Sequence, residues 1–326
     1  MSTTYTLNER AYTTVHPLPQ ELHFEPEQPY VFNLTHLGAL DISGDNSAPF
    51  LQGQMTCDIN TVTPTQMSPG AMCNLQGRLL ALFDVVAWHG LHMVMPQDLL
   101  YLSQSTLAKA ALLSRVVLNI NSTVTYLGLY VPSGADTQSI AIPLPRTPGQ
   151  MSQGPGYCCY AVHAHLLILM FQNQTQKDNF QTQFALSQQR GSLAWHYLEL
   201  QTRRCMLYPN TRGLFLPHRL DLHTTPYISF NKGCYKGQEI IARTHYRAKL
   251  KHGLRLFEIK SSEPIVAGQK LFTQLEQGEV GEIIDYCPID SEHYLVAVSI
   301  VFEHPGQIYC EGSTQPTNLL QYHPIL

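Results

Sequence analysis

The distribution of apolar and polar positions divides the chain into three unlike parts. Residues 1–29 are polar and contain four prolines, which predicts an irregular arm. Between residues 30 and 250, apolar runs of strand length alternate with segments whose apolar residues recur at helical spacing. From about residue 254 onward only short apolar runs occur, and Gly, Pro and Asp separate them. The pattern therefore predicts an α+β protein: an arm at 1–29, an α+β region at 30–250 and a small β-barrel at 251–326.

The same pattern predicts individual elements within these parts. Residues 132–156, rich in Pro, Gly, Ser and Thr, predict a long loop at the junction between two α+β subdomains. A short helix is expected near residues 49–54, with Asp45 as its cap. Longer helices are expected at 96–113, 177–189 and 192–203. Strands are predicted at 37–42, 70–74, 79–88, 91–95, 116–131, 157–171, 254–259, 270–273, 278–286, 294–302 and 307–310.

Composition narrows the class of protein. Hydrophobic residues make up 44% of the 326 positions and charged residues 13%, so the chain can bury large cores. The net charge of −4 argues against a protein that coats nucleic acid over its whole surface. The polar N-terminus has no apolar signal segment, and the longest strongly apolar run, 166–171, is too short to span a bilayer. We expect a cytoplasmic protein with no membrane contact and with reduced thiols.

Cysteine spacing bears on metal chemistry. The chain has eight cysteines, and no two of them form the C-x-x-C pair that is typical of zinc and iron–sulfur ligation. We therefore predict no metal ligands.

The segment 232–239, K-G-C-Y-K-G-Q-E, carries the strongest chemical signal. It places Cys234 between Lys232 and Lys236, and positive charge beside a sulfur favours the thiolate. The alternative is that Cys234 is a small space-filling residue in a turn.

The surrounding stretch is basic. Residues 231–255 contain seven Lys or Arg and one acid, Glu239, a formal balance of +6. Such a stretch could bind a polyanion, including RNA through 232–255, or a carboxylate-bearing ligand, or it could activate Cys234. It could also be a solvated surface strand and linker.

Two further features could line a ligand site. Gln52, Gln54 and Asp58 lie in the run 50–58, where amides and a carboxylate could hydrogen-bond a heterocycle; the alternative is a helix end followed by a polar turn. Trp195 could stack on a planar ring, or it could be a packing residue of its helix.

The motif at 232–239, continued by I-I-A-R at 240–243, resembles the K-G-C-[FY]-x-G-Q-E-x-x-A-R signature of the YgfZ family. Residues 215–217 and 228–230 resemble the approach to that signature, and 44–58 and 73–78 resemble two N-terminal motifs of the family. Members of that family are folate-binding proteins related to the T-protein (aminomethyltransferase) of the glycine cleavage system. The resemblance covers about residues 34–257.

This resemblance implies two subdomains of ferredoxin-like character and a C-terminal β-barrel around an opening of folate size. It implies tetrahydrofolate as cofactor and iron–sulfur enzymes, including those that thiolate tRNA, as partners. It assigns Cys234, Lys232, Gln238 and Glu239 to the reactive site. It assigns eight residues to folate: Trp195, Leu37, Gln52, Gln54, Asp58, Glu199, Tyr235 and Arg243. Leu37 stands where family members can carry a tryptophan, so ring stacking is lost there.

Two functions follow from the resemblance. The first is a folate-dependent accessory factor for assembly or repair of iron–sulfur enzymes, acting through Cys234. The alternative is an aminomethyltransferase that passes a one-carbon unit to tetrahydrofolate; the cysteine motif favours the first, because the T-protein relies on a carboxylate.

Overall fold

The computed structural model describes residues 3–138, 140–275, 277–322 and 324. Over these ranges the chain is an α+β protein, as predicted. The helices are α1 (Leu18–Glu21), α2 (Ser47–Gln54), α3 (Gln97–Leu113), α4 (Gln174–Gln181), α5 (Ser192–Gln201) and α6 (Gln238–Arg247). The strands are β1 (Thr4–Leu7), β2 (Arg10–Thr13), β3 (Tyr30–Asn33), β4 (Leu37–Ser43), β5 (Ser68–Cys73), β6 (Leu79–Ala87), β7 (Leu91–Pro96), β8 (Val117–Asn121), β9 (Thr125–Tyr130), β10 (Met151–Gly154), β11 (Tyr157–Ala161), β12 (Leu166–Phe171), β13 (Gln189–Arg190), β14 (His252–Lys260), β15 (Lys270–Gln274), β16 (Gln277–Pro288), β17 (His293–Val301), β18 (Gln307–Cys310), β19 (Pro316–Asn318) and β20 (Leu320–Gln321).

The first sheet is antiparallel, with strand order β5-β6-β7-β4-β8. α3 packs on it through Leu99, Leu100, Ser103, Leu107 and Ala111, which recur at helical spacing and are buried. The helical pattern at 96–113 and the strand patterns of this sheet are confirmed. α2 begins after Asn46, whose side chain makes no capping bond, so the predicted cap at Asp45 is wrong.

The second sheet has the order β10-β11-β12-β9-β3-β13 and is antiparallel except for the parallel pair β13 and β3. The predicted strand at 116–131 is two strands, because β8 pairs with β4 in the first sheet and β9 pairs with β12 in the second. The long loop at 132–156 lies within the second sheet, between β9 and β11. The chain passes from one sheet to the other between β8 and β9; the domain boundaries themselves stay a prediction.

α5 lies at the centre of the molecule. All ten of its residues are buried, since it packs against β2, β3, β16 and β17. The side chain of Trp195 is fully buried, with its ring 5.4 Å from that of Phe32, and Gly128 leaves the space for it. This helix therefore joins the hairpin, the second sheet and the C-terminal strands in one core.

The C-terminal strands form the predicted β-barrel, a nearly closed antiparallel sheet of order β19-β18-β15-β16-β17-β14-β20. A register shift in β16 lies between Ile283 and Asp285, and Asp285 is fully buried. Its carboxylate accepts hydrogen bonds from the backbone N–H of Met206 (2.6 Å) and the hydroxyl of Tyr208 (2.7 Å). The barrel is thereby tied to the segment that follows α5.

Residues 3–29 are more ordered than the predicted irregular arm. β1 and β2 form a hairpin, and Arg10 donates two bonds of 2.9 Å to Asp98 at the start of α3 and one of 2.6 Å to the carbonyl of Leu207. These charge-assisted bonds from the buried Arg10 hold the hairpin, which has few apolar residues of its own, on the body of the protein. No helix among the described residues is long and apolar enough to cross a bilayer.

Candidate functional site

Cys234 lies in an exposed turn that leads into α6. Gly237 precedes the first residue of this helix with φ of 84°, a left-handed conformation that glycine adopts without strain. Its Cα lies so close to the carbonyl of Asn74, in the β5–β6 turn, that a Cβ could not be accommodated. The glycine thus lets the cysteine turn pack against the first sheet.

The other seven cysteines are buried, and burial raises the pKa of each of their thiols. The pKa of Cys57 is raised to about 11 and that of Cys73 to about 12. Cys234 is therefore the only cysteine of the chain that both contacts solvent and stands in the basic segment. Activation of its thiol stays a prediction.

Lys232 has a different environment from the one its sequence position suggests. Its ammonium donates to the carbonyl oxygens of Gln52 (2.8 Å), Met55 (2.7 Å) and Cys57 (2.6 Å), at and beyond the C-terminal end of α2. Burial lowers the pKa of Lys232 to about 8, whereas the three acceptors favour the charged form. The side chain thus fastens the cysteine turn to α2.

The amide and carboxylate at the end of α2 bond to each other. Gln52 donates to Asp58 (2.9 Å) and accepts from the backbone N–H of Ile59 (2.8 Å). Gln54 is half-buried in the last turn of α2. The structure thus brings three predicted site residues, Gln52, Asp58 and Lys232, into one network.

The remaining predicted residues of the motif surround the start of α6. Gln238 accepts from the backbone N–H of Tyr235 (3.3 Å), and Tyr235 is buried with its hydroxyl unpartnered. Glu239 and Arg243 are exposed on α6. Arg243, Arg247 and Lys249 give this helix and the residues after it an exposed basic surface.

A cavity of about 640 Å³ lies between the two sheets and the barrel. Ligand pockets of this class measure about 300–1,000 Å³. Its polar lining includes His163, Arg203, Arg204 and Tyr227. Asp221, also in the lining, accepts a bond of 3.0 Å from the N–H of Leu254 and so holds the first barrel strand at the cavity wall.

A buried ion network forms one wall of this cavity. Arg204 donates to Glu199 (2.9 Å), to Asp84 (2.6 Å) and to the hydroxyl of Tyr227 (2.9 Å). Oε2 of Glu199 is buried without a hydrogen-bond partner, whereas Asp84 also interacts with the hydroxyl of Tyr160. Burial raises the pKa of both carboxyls, against the opposing effect of Arg204. The two buried carboxylates hold the guanidinium of Arg204 at the cavity wall.

Behind this network lies a small void of about 20 Å³. Leu37 and Glu199, two of the predicted folate residues, both line it, and Arg204 and Tyr227 line the void and the large cavity alike. The fold therefore brings Leu37 and Glu199 to one place next to the cavity.

Other predicted folate residues lie elsewhere. Trp195 packs in the core, and Tyr235 and Arg243 lie at α6. Asp58 lines a separate cleft of about 380 Å³, which shares Thr61, Ser68 and Pro226 with the large cavity. Residues 228–231, which precede Lys232 in the chain, also line that cleft.

Sequence reasoning missed Asp84 and Arg204. Asp84 is the one acid in the otherwise apolar run 79–87, and Arg204 follows Glu199 by five residues at the end of a helix. A lone buried acid and a nearby arginine were the signals for a buried pair. Among the described residues, no group of three His, Cys, Asp or Glu could hold a metal ion.

The chain is similar to known proteins in sequence and in fold. No family model matches the sequence. The tRNA-modifying protein YgfZ of Colwellia psychrerythraea is 26% identical over 267 residues, which cover 80% of this chain and 82% of that protein. The protein of the same name from Vibrio atlanticus is 25% identical over 250 residues, 76% of each chain.

Among solved structures, the glycine cleavage system aminomethyltransferase T of Bartonella henselae superposes with a TM-score of 0.75 over 98% of this chain and 93% of that one. The two sequences are 14% identical, so this likeness concerns the fold. The chain is thus a homologue of the proteins named tRNA-modifying protein YgfZ, built on the fold of the glycine cleavage T-protein.

Proposed function

We propose that this protein binds tetrahydrofolate and serves as an accessory factor for assembly or repair of iron–sulfur enzymes, including tRNA-modifying ones, with Cys234 as its working thiol. The name of its homologues supports a role in tRNA modification. The observation that carries the folate assignment is the paired cavity, in which Arg204 and Tyr227 separate an outer space of about 640 Å³ from the inner void that Glu199 lines.

The residues present fit a folate. The outer space of about 640 Å³ has the size of a folate site, and Arg204 and Tyr227 in its lining can hydrogen-bond the polar edge of a pterin ring. Arg203, exposed in the cavity lining, suits the carboxylates of a glutamate tail. When bound, tetrahydrofolate supplies one-carbon carrier chemistry. The chain's own residues orient the ring and exclude water from its edge, while Glu199 holds the guanidinium of Arg204 in place.

Isothermal titration with tetrahydrofolate tests this assignment. We expect binding by the wild-type protein and at least tenfold weaker binding by Glu199→Gln, because the neutral amide no longer pairs with Arg204 and so no longer fixes its guanidinium at the cavity wall. Glu292→Gln, an exposed carboxyl in the barrel, is the matched control and should bind as wild type. Absence of heat and of fluorescence change with the wild-type protein would remove folate from the proposal.

The thiol role rests on the exposure of Cys234 and on the basic segment around it. We expect Cys234→Ala to fold and to bind folate as wild type, yet to lose support of an iron–sulfur enzyme in a complementation assay. Cys310→Ala, which removes a buried thiol, should retain that support if it folds. Full complementation by Cys234→Ala would exclude the thiol mechanism.

The basic surface of α6 supports weak contact with RNA. Anisotropy titrations with a bulk tRNA probe should show binding that weakens with salt. The triple change of Arg243, Arg247 and Lys249 to Gln should reduce it, whereas Lys109→Gln on α3 should not. Salt-independent binding, or an equal effect of the control, would contradict a phosphate contact.

The alternative function is an aminomethyltransferase, which the shared fold favours. A glycine cleavage assay with the purified lipoyl-bearing partner separates the two, because only the alternative predicts turnover. Folate binding without turnover supports the accessory role.

A further inference from the structure

Three histidines from separate segments meet beneath the C-terminal end of α6. His218 and His223 lie in two consecutive 3-10 turns, and His245 lies in the last turn of α6. The ring centroids are 4.8 Å apart for His218 and His223, 5.9 Å for His223 and His245, and 6.2 Å for His218 and His245. His245 also stacks on Phe230 at 3.9 Å.

Several ring nitrogens of this histidine cluster lack a hydrogen-bond partner. Both nitrogens of His218 and Nδ1 of His223 are buried without a hydrogen-bond partner. The rings do not converge as metal ligands do, since the described residues contain no metal-holding group of three. Burial and the neighbouring rings lower the pKa of His218 to about 4, and burial also lowers the pKa of His223. The packing therefore favours neutral rings at His218 and His223, because a charge added to either would be dehydrated and close to the other.

One acid, Asp221, partly offsets a charge on His223. Asp221 lies between the two turns and favours protonation of His223, but its Oδ2 accepts the N–H of Leu254. From α6, the other charged group of the last turn is Arg247. Among the ion pairs of the described residues, none includes His218, His223 or His245.

Charges of both signs lie in the seam between the cluster and the barrel. Arg219, next to His218, donates to Glu282 of β16 (2.8 Å). His252 at the start of β14 has its pKa lowered by burial, with Arg219 and Lys251 acting in the same direction and Glu279 opposing. Glu282 is engaged by Arg219, so it does not pair with a histidine of the cluster.

We propose that His218, His223 and His245 form a proton-sensitive latch, which holds the C-terminal end of α6 on the body of the protein at neutral pH and releases it in mild acid. The latch acts on the segment that begins after the Cys234 turn and carries Arg243 and Arg247. Release makes this basic helix mobile and leaves the sheets intact. The inference is independent of whether the cavity binds folate.

Hydrogen exchange measured by mass spectrometry at pH 7.5 and 5.5 tests the latch, with exchange times scaled for the intrinsic chemistry. We expect the protection of α6 amides to fall at pH 5.5. The fall should be about tenfold for each histidine that takes up a proton on release and whose pKa is one unit lower in the latched protein. Protection of α3 should not change. His218→Phe keeps a ring that cannot be protonated, so the acid-induced loss of amide protection in α6 should be smaller.

His36→Phe is the matched control. His36 is buried with both nitrogens unpartnered and with a lowered pKa, but its ring contacts Tyr12 rather than α6. This variant should keep the full acid response of α6. Equal protection of α6 at both pH values, joint loss of protection in α6 and α3, or a reduced response in His36→Phe would each overturn the latch. If His218→Phe does not fold, His223→Phe gives the same readout at a less buried position.

Discussion

Replacing Lys232 by Met separates the structural role of this lysine from its predicted role beside the thiol. In the folded protein its ammonium donates to three carbonyl oxygens, those of Gln52, Met55 and Cys57, at 2.6–2.8 Å. Methionine has a similar length and no donor. The change therefore removes three bonds that join the cysteine turn to the end of α2.

The expected cost follows from these bonds. A hydrogen bond to a charged group contributes about 1.5–3 kcal/mol, but the side chain is half-buried and water can reach part of the site. The change removes all three bonds and also removes a cation from the negative end of the helix dipole. Together these losses should lower the free energy of unfolding by about 2–4 kcal/mol.

Urea unfolding followed by circular dichroism measures this cost. Lys236→Met is the control, because it removes a lysine from the same turn and leaves the backbone bond from Lys236 to the carbonyl of Gly53 (3.2 Å) in place. We expect the control to lie within about 0.5 kcal/mol of wild type, as surface changes do. A Lys232→Met protein as stable as Lys236→Met would refute the reasoning.

Three further outcomes are expected. Gly128→Ala would place a methyl group against the ring of Trp195 and should lower stability by about 1–3 kcal/mol. Gly233→Ala is the control, because its methyl group would meet no atom. Thermal melts compare the stability of the two variants. Iodoacetamide under native conditions should label Cys234 alone, as mass spectrometry of the digested protein can show, and fast labelling of any second cysteine would contradict its burial. Stability should be constant above about pH 6.5 and fall by about 1–2 kcal/mol toward pH 4, because unfolded histidine binds a proton that folded His218, with a pKa of about 4, does not. Urea titrations at pH 7.5 and 5 measure the change in stability, and a higher stability at pH 5 would contradict this expectation.

Local patterns predicted most elements correctly. The apolar run of β6 reflects burial of a whole strand, and the helical spacing of Leu99, Leu107 and Ala111 reflects burial of one face of α3. Both kinds of burial leave a direct pattern in the sequence. The separated short strands of the C-terminal region predicted the barrel for the same reason. α6 was not predicted, because it is mostly polar and has a single buried residue, Ile241.

The candidate site was less predictable. The sequence motif identified Cys234, and the structure shows its exposure. The partners of Lys232 could not be predicted, because they are backbone carbonyls, which all residues share. The hairpin at 4–13 was also missed, since Asp98 and Leu207, which hold Arg10, lie far along the chain.

The sequence by itself determined the α+β class, the terminal barrel and the cysteine motif, because periodicity and local motifs are properties of neighbouring residues. Only the tertiary structure decided which distant groups meet. Arg204 lies 120 positions from Asp84, and their contact beside Glu199 depends on how α5 is enclosed between the sheets and the barrel. A buried charge is tolerated only with such a partner, so the fold, rather than either residue alone, forms the wall of the cavity.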